Sequence, residues 1–264
     1  MVDVFYLALA LLASTRHTLA ACTRESLLAA AQSYISAQAQ GTSAGLSLAG
    51  GGAFVYRENN KVADIQHGLL ATPLTITLNR STADTVACAS YTMLVSSAGP
   101  KPYVLATQIR HGTGDAANIT MIDTIATTTG SLFFDAGHTA QWVRAENWTT
   151  IADVARRPSR DLLQKWGDTY LDMWTDAQAQ GELSWAADCE RVEGGRLAKP
   201  CTEGLPTGQQ SAAVQGNGMR RYVIDETVGS VNILCEFTTL GNTPDSHEIR
   251  IIDGQIKYVQ TVTL

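Results

Sequence analysis

Three polar side chains, His247, Tyr258 and Gln260, fall within an otherwise aliphatic alternating stretch at the end of the chain, Ser246-His-Glu-Ile-Arg-Ile-Ile-Asp-Gly-Gln-Ile-Lys-Tyr-Val-Gln. Period-two alternation on either side of Asp253-Gly254 predicts that they share a face with Ile249, Ile251 and Ile256. A polar group on a core-facing surface is costly unless it is satisfied internally or binds something. Two readings follow: internal hydrogen bonds at the mouth of a sheet, or an apolar cavity with a few converging polar groups, which is how small-molecule sites are built. In the second reading His247 is the proton shuttle and Tyr258 a hydrogen-bond donor. Gln260, Ile249 and Ile251 line the site, with Trp166 and Tyr170 facing them from a preceding helix.

Other patterns that resemble chemistry fail on context. Gly41-Thr-Ser-Ala-Gly45 spells a nucleophile elbow, but a helix precedes it and a glycine run follows, the reverse of what that motif needs. Asp168, Asp172 and Asp176 recur every four residues opposite the Leu163/Trp166/Tyr170 stripe, so they read as a solvated helix face. No HxH, HExxH, CxxC or phosphate-loop spacing occurs, which leaves a metal, a nucleotide and a Ser-His-Asp hydrolase without support. No cofactor is expected.

The elements that must position these residues are written twice. Arg24-Glu-Ser-Leu with Tyr34-Ile35 matches Arg160-Asp-Leu-Leu with Tyr170-Leu171, and Pro102–Arg110 followed by Asn118–Ile125 echoes the closing hairpin, with Ile109 standing where Ile251 stands. Each copy reads as a helix laid over a curved antiparallel sheet, an α+β unit of about a hundred residues. The expected organisation is a leader over 1–21, a first unit over 22–127, a packed linker over 128–158 and a second unit over 159–264. Asp253-Gly254 is a strong hairpin signal, and Pro158-Ser159 predicts the approach and N-cap of the second helix. The first unit's pocket positions are Leu105, Thr107, Ile109, Ile119, Met121 and Asp123, so the second unit is the richer in polar groups.

With 45% hydrophobic residues, 17% charged and a net charge of -6, the chain can build a core and lacks the basic footprint of a nucleic-acid binder. Val4–Ala13 is an apolar run of signal-peptide length, too short for a permanent membrane anchor, and small residues precede Cys22. The sequons at Asn79, Asn118 and Asn147 agree with passage through the secretory pathway. Five cysteines fit an oxidising compartment with one thiol left over. Cys189 and Cys201 bracket a Gly/Pro-rich loop, whose closure is worth about 3 kcal/mol in the chain-entropy model. Cys22 then ties to Cys88, and Cys235 remains a buried free thiol.

The segments Asp188-Cys-Glu-Arg-Val-Glu-Gly-Gly, Arg220-Arg-Tyr-Val-Ile-Asp-Glu and Pro244-Asp-Ser-His-Glu-Ile-Arg, with Gly254-Gln-Ile-Lys-Tyr-Val, resemble a family of secreted fungal proteins. Cys22-Thr-Arg, Val55-Tyr-Arg-Glu-Asn, Cys88 and Trp148 before Arg160 are similar to the same family, so the resemblance spans nearly all the chain after the leader. It implies a tandem of cone-shaped folds of the nuclear-transport-factor-2 (NTF2)/SnoaL type. Some members act as hetero-Diels-Alderases in tropolone sesquiterpenoid biosynthesis, joining a quinone methide formed by dehydration to a humulene-type terpene. The sequence departs from the family at Gln260, where a His is usual. The same resemblance leaves room for a SnoaL-like isomerase or cyclase acting on another natural product. A secreted non-catalytic carrier needs the same pocket without the proton groups. The expected partner is an apolar small molecule, and the sequence does not fix an oligomeric state.

Overall fold

The computed structural model describes residues 22–112, 115–176, 178–206 and 216–264. The leader expected over 1–21 lies outside these residues. The first unit runs α1 (Arg24–Gln40), β1 (Val55–Glu58), β2 (Lys61–Val62), β3 (Leu78–Asp84), β4 (Ala89–Ser96), β5 (Tyr103–Gly112) and β6 (Asp115–Thr128). The linker carries α2 (Ala136–Ala145). The second unit runs α3 (Arg160–Asp172), β7 (Trp185–Glu193), β8 (Arg196–Ala198), β9 (Gly218–Asp225), β10 (Ser230–Phe237), β11 (Thr243–Ile252) and β12 (Gln255–Thr263).

The two sheets have the same order, β2-β1-β6-β5-β4-β3 and β8-β7-β12-β11-β10-β9, so the repeat is real. The expected α+β fold of NTF2/SnoaL-like cones, each a helix on an antiparallel sheet, is not what forms. The molecule is mostly β: two six-stranded mixed sheets with three α-helices among the described residues. In each sheet the first long strand lies parallel to the last one, β1 along β6 and β7 along β12. Alternation and turn signals report only neighbours joined by hairpins, so a parallel pairing between the ends of a unit leaves no local mark.

Local chemistry explains the elements themselves. Thr23 Oγ1 accepts the Ser26 amide at the start of α1, and Ser159 Oγ accepts that of Leu162 at the start of α3. The β11–β12 turn takes φ of 50° at Asp253 and 71° at Gly254, the left-handed pair that such hairpins require. No helix among the described residues is long and apolar enough to cross a membrane.

Three apolar layers hold the molecule together. Tyr34, Ile35 and Ala37 of α1 pack on Leu94, Leu105, Ile109 and Ile122 of the first sheet. Leu163, Trp166 and Tyr170 of α3 pack on Val231, Ile233, Ile249 and Ile251 of the second. Between the sheets, Tyr91, Met93, Val95, Ala106 and Ile125 meet Val223, Leu234 and Val262, with α2 closing the edge through Ala136, Ala140 and Val143. Central strands are therefore buried on both faces, and every residue of β4 is buried.

The units grip each other reciprocally. Arg160 of α3 forms a forked pair with Asp84 at the end of β3, and Arg24 of α1 pairs with Asp225 at the end of β9. Asp84 also accepts the Ile224 amide and Asp225 the Ala83 amide, both at 2.9 Å. Cys22 is bonded to Cys88 and Cys189 to Cys201, while Cys235 is free and buried.

Candidate functional site

A cavity of about 360 Å³ opens in the second unit between the end of α3, strands β10 to β12 and the linker. Its walls are mostly apolar, from Trp174, Phe237, Leu240, Leu132 and Phe133, with Asp245, His247, Thr261 and Glu193 among them. The size and lining fit a small-molecule pocket.

On its inner wall, His247 Nε2 lies 2.8 Å from Asp245 Oδ2. The other carboxylate oxygen accepts the Ser246 amide at 2.7 Å and the Thr263 hydroxyl at 2.9 Å. A carboxylate so placed is an acceptor, so Nε2 carries a proton, and in the neutral imidazole Nδ1 is left with its lone pair. Nδ1 is buried and has no partner. The ring is held between Tyr170, at 5.3 Å, and Phe237, at 5.6 Å. The Tyr170 hydroxyl and the Trp174 indole N–H are likewise buried without partners. Burial pushes the Tyr170 phenol up, so it stays protonated and serves as a donor.

The expected His247/Tyr258/Gln260 face is divided. A bulge in β12 between Ile256 and Tyr258 shifts the pairing with β11 by one residue, and a one-residue shift moves every later side chain to the other face. Val259 therefore joins the core under α3, and Thr261 and Thr263 face the cavity with His247. Tyr258 instead packs on Trp148, its hydroxyl accepting the Asn147 amide at 3.4 Å, and Gln260 donates to Glu146. Asp123 suffers the same fate in the first unit: irregular pairing after Arg110 places it between the sheets, 2.7 Å from Arg221. Ile249, Ile251 and Trp166 lie in the core under α3 and do not line the cavity. Tyr170 touches His247 as the helix stripe requires.

Sequence reasoning missed Asp245, Trp174, Phe237 and the linker residues. Asp245-x-His247 was within reach, because residues two apart on a strand share a face. The expected solvated run of Asp168, Asp172 and Asp176 is in part an ion-pair surface, since Arg220 bonds both Asp168 and Asp172. Cys235, Asp245 and His247 could between them hold a soft divalent ion, one ligand atom of each lying within 4.8 Å of the others. Both carboxylate oxygens are already engaged, however, and burial keeps the Cys235 thiol protonated. The donor set therefore fits an acid/base dyad better than a metal cage.

The equivalent place in the first unit is closed. Leu105 stands four residues before Ile109 as His247 stands before Ile251. The Tyr34 hydroxyl is bonded to Thr107 at 2.8 Å, and Thr107 to Thr124 at 2.9 Å.

The displaced Gln260 belongs to a second polar cluster between the sheets. Arg80 pairs with buried Glu248 at 2.6 Å and stacks 3.5 Å over Trp148, whose indole N–H donates to Glu146. Burial pushes the Glu146 carboxyl up to about 8, against the opposing pull of Arg80 and of the Trp148 hydrogen bond. A carboxyl raised in the folded state contributes stability that is complete below its ordinary 4.5 and is lost as pH rises toward 8. Glu146→Gln should therefore flatten the melting temperature between pH 4.5 and 8, gaining on the parent at pH 8 and not at pH 4. Parallel melting profiles for the two proteins would refute a neutral Glu146.

No curated protein matches the chain. Residues 156–263, which contain α3, the second sheet and the cavity's dyad, are similar to the family described as "Domain of unknown function (DUF8021)".

Proposed function

We propose that the chain is a secreted biosynthetic enzyme that binds an apolar, oxygenated natural product in the cavity of the second unit. In this reading it removes water from a hydroxylated tropolone and adds the resulting quinone methide to an alkene of a humulene-type terpene. The observation that carries the reading is the Asp245–His247 dyad on the wall of a largely apolar cavity, its Nδ1 without a protein partner. The choice of tropolone and terpene rests on the family resemblance given above.

The chemistry is balanced without a redox partner. His247 Nδ1 takes the ring hydroxyl proton, electrons move through the ring, and the side-chain hydroxyl leaves as water with the proton His247 has just gained. The imidazole returns to its starting form. The heterodiene C=C–C=O then closes on the alkene, making one C–C and one C–O bond. That step needs mainly orientation in a dry site, where effective molarities reach about 10⁵ M or more.

Two disulfides and exposed asparagines at Asn79, Asn118 and Asn147 support the secretory part of the reading. The test is to incubate the purified protein with a hydroxylated tropolone and humulene and to follow the adduct by mass spectrometry. The expected result is an adduct formed faster than in buffer and as one stereoisomer. Equal rates with and without protein would overturn the reading, and binding without turnover would make the protein a carrier.

A further inference from the structure

We propose that Asn147 is a glycan acceptor, and that folding withdraws the other two sequons, at Asn79 and Asn118, from the same modification. The inference rests on the secretory part of the function proposed above and on none of its chemistry.

The residues that follow α2 alternate in direction. Trp148 is half-buried, its indole N–H donating to Glu146 and its ring covered by Arg80. Asn147 and Thr149, on either side of it, are exposed. Their backbone is pinned to the second unit: the Asn147 amide donates to the Tyr258 hydroxyl at 3.4 Å, and the Thr149 carbonyl accepts from Arg250 at 2.6 Å. The segment is thus held from behind, and the two side chains that define the sequon stay outside. Asn147 Oδ1 accepts the Thr149 amide at 3.0 Å, a turn closed by the acceptor's own side chain. Among the described residues, nothing engages Asn147 Nδ2 or the Thr149 hydroxyl.

Glycan transfer needs both of those groups free. The carboxamide nitrogen bonds to the anomeric carbon of a sugar carried on a lipid diphosphate. The C–O bond to the diphosphate breaks, and the proton lost from nitrogen leaves with it.

The other sequons put the same groups to structural use. Ser81 Oγ lies 2.9 Å from Thr92 Oγ1, across β3 and β4. Thr120 donates to the Arg110 carbonyl at 3.1 Å, across β6 and β5, and Asn118 Nδ2 donates to Asp115 at 2.7 Å. Asn79 and Asn118 are themselves exposed, so burial of the asparagine is not what separates them from Asn147. The difference is an extended backbone and an occupied hydroxyl. Neighbouring strands pair in about 1–10 μs once both are available. These two sequons therefore compete with folding for their own hydroxyls. The Asn147 turn joins residues two apart and needs no sheet to form.

The test expresses the full chain in a eukaryotic secretory host, releases the glycans with peptide N-glycosidase in heavy-oxygen water and maps the labelled aspartates by peptide mass. Asn147 should be labelled nearly completely, and Asn79 and Asn118 about tenfold less. Thr149→Ala should abolish the label at Asn147, and Thr149→Ser should restore it. Dithiothreitol added during synthesis keeps Cys22 and Cys88 apart and delays the first unit. It should raise the label at Asn79 and Asn118 and leave Asn147 unchanged. Secreted protein with Asn147 bare would overturn the inference and leave the secretory reading standing. So would equal labelling of all three sites, with or without the reductant. A full-length chain that never enters the secretory pathway would overturn both.

Discussion

His247→Ala is expected to lower turnover by about 10²- to 10⁴-fold, the usual cost of removing a positioned acid/base. The side chain lines the cavity, its Nδ1 has no protein partner, and no other described residue presents an imidazole there. Asp245→Asn provides a sharper version of the same test. An asparagine amide can turn its N–H toward Nε2, which moves the imidazole proton to Nδ1 and removes the acceptor while leaving the ring in place. Both variants should lose turnover, and Asp245→Asn should keep affinity for ligands that do not rely on the Nδ1 lone pair. Parent-like rates in His247→Ala, with an unchanged circular dichroism spectrum, would remove His247 from the mechanism.

Asp84→Ala is the substitution expected to cost most stability, about 3 kcal/mol after allowing for the partial exposure of its arginine partner. The fully buried Asp84 carboxylate accepts the amides of Val86 and Ala87 within its own turn, the Ile224 amide across the interface and the forked Arg160 pair. Truncation leaves all of these unanswered at once. Urea unfolding should show the loss as a lower midpoint with an unchanged slope. A change under 1 kcal/mol would mean that the reciprocal contacts between the units contribute little.

Much of the local structure was legible in the sequence. Ser159 as an N-cap, the Asp253-Gly254 hairpin, the Cys189–Cys201 disulfide and the duplicated helix all follow from short-range chemistry, and Cys22–Cys88 followed as the remaining pair. The parallel pairings β1·β6 and β7·β12 were not, and with them went the antiparallel cone architecture. The site was legible only in part. His247 stood out because polar groups on a face shared with isoleucines need a reason, and Tyr170 followed from the helix stripe. Tyr258 and Gln260 were misplaced because alternation assumes an unbroken pleat, and the residue inserted between Ile256 and Tyr258 opposite β11 has no compositional signature. Phe133 and Leu132 lay out of reach for another reason: they arrive from a segment distant in sequence, through backbone contacts that glycines permit.

The crossed arginine–aspartate pairs give the chain the character of an isologous dimer whose two protomers share one backbone. In such an interface each patch is both key and lock, so Asp84 and Asp225 answer to a common geometric demand and a change on one side is felt on the other. The outward faces carry no such obligation. Covalent tethering keeps the partners at high effective concentration whatever their individual affinity. One copy satisfies its tyrosine with threonines, while the other leaves its tyrosine, indole and imidazole unanswered. The joined pair tolerates a division of labour that two identical subunits, bound by symmetry to carry the same pocket, do not.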